Sequence, residues 1–248
     1  MSDINLDKLN PDAAKKIRPF LHDILDRYPE NIHSIHVTGT AVTADYDGKI
    51  SDVNSIIVLK EMDLKFLGVL APLGKKYGKH KVAAPLIMTP GYIERSLDVF
   101  PVEFLNFRLI HSTVFGEDIL EGLEIDRMDL RHQCERELKV KLIWLRQGYI
   151  SSRGDSRILA EQLVNSITGC IPLFRGIIVL RGKEPPVAHR EVITALSGAV
   201  DIDTGVFIKL LERKHDRQKV SPGELNTIFE EYYTATEKLG RTVNEIKE

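Results

Sequence analysis

Residues 36–59 constrain this chain more than any other segment. An apolar run ends at Gly39-Thr40, a polar loop follows, and Asp52-Val53-Asn54 opens a second apolar run through residues 55–59. Alternate residues on a strand share a face. Asp52 and Asn54 are therefore expected to project together, beside whatever the Gly-Thr turn holds. One member of that pair is an acid and the other an amide, which sets the chemistry open to the site.

The rest of the chain bounds the setting. With 248 residues, 43% hydrophobic and 28% charged, it is long enough for one large or two modest domains. A formal net charge of −2 gives no field that draws nucleic acid or an anionic membrane. The two cysteines, Cys134 and Cys170, fall inside helical patterns, which argues against a disulfide framework and for a reducing compartment. The first residues lack an apolar signal core, and no uninterrupted apolar run reaches spanning length. A cytoplasmic protein without a membrane segment is expected.

The two halves read differently, with the division placed at residues 1–125 and 126–248. Asn10-Pro11 starts a helix that Pro19 is expected to kink or divide. Residues 34–38 alternate as a strand with one buried face, and residues 55–59 form a second strand. A helix bearing Phe66, Leu70, Leu73 and Tyr77 follows. Residues 82–88 read as an edge strand because Pro85 interrupts them. Thr89-Pro90 starts a short helix, and residues 97–107 read as a fourth strand. The second half is helical, with long helices around residues 130–149 and 158–180, the latter kinked at Pro172. Ser221-Pro222-Gly223-Glu224 is a capping box that opens the last helix. The expected class is α+β: a small mixed sheet backed by helices, followed by an antiparallel helical bundle.

Phosphoryl transfer with two metal ions needs several anionic oxygens converging on ions about 3.5–4 Å apart. Asp52 supplies a carboxylate and Asn54 only a carbonyl, so a third group must come from another strand. Glu103 and Asp98 are the candidates. Glu103 is favoured, because an acid between apolar residues in mid-strand is expensive unless paired or metal-bound. Lysines 75, 76, 79 and 81 offer two roles, contact with a triphosphate or a cationic helix end that complements the dipole.

Gly39-Thr40, Asp52-Val53-Asn54 before residues 55–59, and Val102-Glu103-Phe104 together resemble the minimal nucleotidyltransferase superfamily, of the polymerase-beta-like, kanamycin nucleotidyltransferase and MNT type. The helical half resembles the bundle, HEPN-like in some members, that follows this domain. The motif match covers roughly residues 30–107.

The resemblance implies a phosphate-contacting turn at Gly39 and Thr40, and Lys76 is the candidate of the basic segment for a further nucleotide contact. The resemblance also implies magnesium held by Asp52 and Glu103, and a nucleoside triphosphate as ligand. Asn54 stands where the family's second aspartate belongs, and Thr43 and Ala44 stand where an arginine and a glycine often do. Losing a unit charge beside a dication is worth several kcal/mol even at an effective dielectric of about 20. The resemblance therefore implies weak magnesium binding and impaired transfer, and leaves open whether the chain is an enzyme. A nucleotide-binding or regulatory role is favoured. The alternatives are an active magnesium-dependent transferase acting on a protein, RNA or small molecule, and a structural module that dimerises or meets a protein partner.

Other signals are weaker. Residues 43–50 imitate part of an EF-hand loop but lack its first and last acidic ligands. Arg127 and His132 have the spacing of HEPN ribonucleases, yet read as helix-surface residues. His33 and His36 are three apart on a strand and face opposite ways, which speaks against a metal pair.

Overall fold

The computed structural model describes residues 4–216 and 222–246. Two compact units divide the chain. The first comprises Met1–Leu97 and Phe104–Glu124, the second Asp98–Glu103 and Ile125–Glu248.

The first unit opens with α1 (Pro11–Arg27). Asn10 caps it, its side chain accepting the Asp12 N–H at 3.0 Å, with proline in the first turn. Ala13, Ile17, Phe20, Leu21 and Ile24 form its buried stripe. Pro19 does not divide the helix as the sequence led us to expect. The helix runs on through it, and the Tyr77 hydroxyl donates to the Pro19 carbonyl at 3.2 Å.

The sheet is mixed, in the order β3-β2-β1-β4. β1 (Ile32–Thr38) lies centrally, antiparallel to β2 (Asn54–Leu59) on one side and to β4 (His111–Gly116) on the other. α2 (Lys65–Gly78) crosses over to β3 (Leu86–Met88), which runs parallel to β2 at the edge. β3 begins only after Pro85, which has no N–H to offer a ladder. One face of the sheet buries Ile35, Val37, Ile57 and Val114 under Phe20, Leu21 and Ile24 of α1 and Phe66, Leu70 and Leu73 of α2. The opposite face of β1 is polar but also buried: Ser34 and His36 are fully enclosed and Thr38 nearly so. The strand therefore has two buried faces rather than the expected one.

α3 (Pro90–Glu94) starts at Thr89, whose hydroxyl accepts the Tyr92 N–H. The expected strand over residues 97–107 is instead a turn followed by α4 (Pro101–Leu109). Proline suits a first helical turn, and an acid there complements the helix dipole, which is where Glu103 sits. The apolar residues occur on several faces of this segment, so their apparent alternation did not discriminate strand from helix. The fourth strand is β4, which the sequence reading did not place.

In the second unit, α5 (Arg127–Ser151) is the long helix expected, capped by Asp126. The next apolar stretch is α6 (Ser156–Ile167), a 3-10 turn at Thr168–Cys170, and α7 (Ile171–Leu180). Pro172 lies in the first turn of α7, so it starts a helix where a kink was expected. This stretch has the length and hydropathy of a membrane span, but 61% of its most apolar window is buried within the protein, as in a bundle core. α8 (His189–Val200), α9 (Gly205–Asp216) and α10 (Pro222–Asn244) complete the unit. Ser221 of the expected capping box lies outside the described residues.

Candidate functional site

The site is built at one end of β1. Gly39 follows the strand with φ of +72°, a conformation that glycine adopts without a steric cost, and opens a short 3-10 turn over Gly39–Val42. In sheet register Thr38 lies opposite Asn54 on β2 and opposite His111 on β4. Directly opposed residues share a face, so Asn54, Thr38 and His111 form a row across three strands at the glycine turn. The Asn54 amide nitrogen lies 3.7 Å from where a Gly39 side chain would begin. The turn and Asn54 are thus brought together, as the sequence suggested.

The charged groups are arranged otherwise. Asp52 precedes β2 at the surface, its side chain 54% exposed, with the Lys81 ammonium 3.8 Å away. Lys76 bonds to Asp23 at 2.8 Å and lies over the Tyr77 ring. The Lys76 and Tyr77 hydrogen bonds hold the Asp23 carboxyl below its ordinary range. Lys76 thus joins α2 to α1 at the end of the helix.

Glu103 is on α4 in the second unit, where the Gln133 amide donates to it at 2.7 Å. The same Gln133 side chain accepts the Val102 N–H at 2.8 Å and so caps α4. Asp98 is exposed in the turn before it. Neither unit by itself brings Glu103 or Asp98 to Asp52.

None of the four strands carries an aspartate or glutamate. β3, the neighbour of β2, offers only leucine, isoleucine and methionine. Two magnesium ions need bridging carboxylates. Of the candidate residues, the first unit holds one exposed carboxylate, Asp52, already beside a lysine, and one amide, Asn54. These residues do not fit a two-magnesium centre.

The polar face of the sheet holds groups that the sequence reading missed. The His36 ring lies between the Ser34 hydroxyl (Nε2, 2.9 Å) and the Thr113 hydroxyl (Nδ1, 2.8 Å). Burial, with a smaller contribution from His111, pushes the His36 pKa down to about 4, so the ring is neutral at pH 7. His111 Nε2 lies 2.9 Å from Asp118, while its buried Nδ1 has no hydrogen-bond partner. Burial raises the Asp118 pKa, but hydrogen bonds from Thr113 and His111 outweigh that and hold the carboxyl below its usual range. The visible signal was the Ser34, His36, Thr38 alternation. It could not be completed without β4, which supplies His111 and Thr113.

The weaker signals resolve into structural roles. Lys16 of α1 donates to the Gly48 carbonyl at 2.8 Å and ties down the EF-hand-like loop. Arg127 donates to the Leu180 carbonyl at 2.6 Å, joining α5 to the end of α7. Cys134 and Cys170 are buried free thiols. In the second unit a cleft of about 760 Å³ lies between α5 and α6, lined by residues including Trp144, Leu145, Leu159 and Leu163.

No protein-family model matches the chain. No curated protein matches it in sequence. Among solved structures it is similar to spectinomycin adenyltransferase AAD(9) from Enterococcus faecialis, solved with ATP and spectinomycin. The TM-score is 0.54 at 13% identity, over 94% of this chain and 99% of that one. At this identity the likeness is one of fold alone: the chain shares the fold of that adenyltransferase.

Proposed function

We propose that this chain is a nucleotide-binding regulatory protein on a nucleotidyltransferase fold, with nucleotidyl transfer impaired. The observation that carries the reading is the row at the glycine turn. The turn is formed and Asn54 faces it, yet no strand of the sheet supplies a carboxylate. Backbone amides of a glycine turn can orient phosphates without the anionic oxygens that transfer chemistry requires. The presence of ATP in the AAD(9) structure supports a nucleoside triphosphate as the ligand class. On this reading Gly39, Thr40 and Asn54 contact the nucleotide, and Asp52 offers a single, weak magnesium contact. The helical unit takes the place of the HEPN-like bundle that follows MNT-type domains. Two buried free thiols accord with a cytoplasmic setting.

The test is thermal stability with each nucleoside triphosphate, with magnesium or with chelator, alongside transfer of α-phosphate label. Stabilisation by at least one triphosphate is expected, with no label transfer by the natural protein. Stabilisation by none of them, or label transfer by the natural protein, would refute the reading. Asn54→Asp restores a carboxylate at the row and is expected to increase magnesium-dependent stabilisation.

A second reading, assembly with another copy through the helical unit, is favoured by one observation. α5 exposes Trp144 at 69% and Ile143 at 47%, and exposed apolar surface of this kind marks interfaces. A concentration-dependent mass measurement tests it, and a monomer at all concentrations would end it.

A further inference from the structure

We propose that His36, His111 and Asp118 form a binding site for a transition-metal dication of the zinc class. Among the described residues, they alone bring at least three histidine, cysteine or carboxylate donors together, with one ligand atom from each within 4.8 Å of the others. Two imidazoles and a carboxylate suit zinc and its first-row neighbours, whereas magnesium and calcium prefer oxygen donors alone. Three protein ligands leave a fourth tetrahedral position for water or another ligand.

The donors come from elements that fix them. His36 is on the central strand and fully buried; Ser34 and Thr113 hold its two ring nitrogens, so an ion would take the place of one of these hydrogen bonds. His111 is on the adjacent strand, its side chain only 8% exposed, and the two rings meet edge to face at 5.8 Å. Asp118 follows β4 and is 36% exposed, giving an ion a route from solvent.

Buried polar atoms are seldom left without a partner. The buried, unpartnered Nδ1 of His111 shows that protein groups alone do not complete this ring's environment. Tetrahedral zinc with bonds of about 2.0–2.1 Å sets its ligand atoms about 3.3 Å apart. His111 meets Asp118 at 2.9 Å through Nε2, the other ring nitrogen from the unpartnered Nδ1, and ligand atoms now within 4.8 Å of one another would have to draw in to that spacing around an ion. The Thr113 hydroxyl, which contacts both His36 and Asp118, would then support the ligands from behind.

The inference does not rest on nucleotide binding. It is tested on the full-length protein after stripping with chelator, by zinc titration against a chromophoric chelator and by cobalt substitution. One equivalent of zinc is expected, and the cobalt form should show the intense visible absorption of a four-coordinate ion. His111→Gln and Asp118→Asn should each weaken zinc binding at least tenfold. Asp52→Asn, at the other candidate site, should leave zinc affinity unchanged. In the natural protein, imidazole ¹⁵N resonances of two histidines should shift together with one equivalent of zinc, a readout that needs no folded variant. Absence of stoichiometric binding, zinc affinity that survives both triad substitutions, a six-coordinate cobalt spectrum, or unmoved imidazole resonances would each overturn the proposal.

Discussion

Gly116→Ala is expected to be among the most damaging single-methyl additions in the first unit. Gly116 ends β4 with φ of +76°, opposite Ser34 in the ladder. A side chain there costs about 1 kcal/mol for the left-handed backbone alone. The added Cβ would also fall 2.1 Å from the His33 carbonyl oxygen and 2.9 Å from the Ser34 Cα. Both are backbone atoms of the central strand, so neither can swing aside. Relief requires the end of β4 to lift from β1, with loss of a ladder hydrogen bond worth about 1 kcal/mol net and loosening of the packing beneath. We expect a destabilisation of about 3 kcal/mol, in the upper range of single substitutions.

Urea unfolding measures the total, and hydrogen exchange on the β1 amides localises it. Gly122→Ala is the control: its Cβ would meet nothing within 4 Å, and its φ lies outside the left-handed range. It should stay within about 0.5 kcal/mol of the natural protein. A Gly116→Ala protein equally close to the natural one would show that the β1–β4 register described here is wrong.

Three further outcomes follow from the packing. Arg175 is only 3% exposed and donates to the Pro186 and Val187 carbonyls at 3.3 and 2.5 Å. Arg175→Met should destabilise the protein by about 2 kcal/mol in denaturant unfolding through those unsatisfied carbonyls. The Asp23 carboxyl, lowered by Lys76 and Tyr77, contributes stability that is present above the ordinary carboxylate range and lost as pH falls through its native value. Exposure of Lys76 keeps this contribution small, and Lys76→Met should move the Asp23 NMR titration upward. Burial pushes the Cys134 thiol up to about 12, and Cys170 is also buried. Alkylation of Cys134 in the folded protein should therefore be slow at pH 7 and accelerate strongly with denaturant.

How far the fold could be read depended on whether local pattern and tertiary placement agreed. The glycine turn, β2 and α5 followed from spacing because one face of each is apolar and their ends carry turn or cap residues. Asn54 beside Gly39 was legible because the turn ends one strand and Asn54 begins the next, which pair antiparallel. Residues 97–107 misled because apolar residues on several sides satisfy a strand and a buried helix equally. Pro101, suited to a first helical turn, was the discriminating residue. That error displaced Glu103 from strand to helix and concealed β4. His111, Thr113 and Asp118 were then out of reach, because their association with His36 is a property of sheet register. Pro19 shows the opposite case: a strong local breaker inside a helix whose buried stripe packs on both sides of it.

The path of α4 bears on how this protein can be divided. Its first residues are counted with the helical unit and its remainder with the sheet, so the backbone passes between the units more than once. A fragment cut at residue 126 would discard the peptide that Gln133 caps, stranding a side chain in a residue only 5% exposed. Separation of the halves by a single cleavage is thus expected to yield an incomplete helical piece. Excision that retains residues 98–103 through an added linker is the route to an autonomous one.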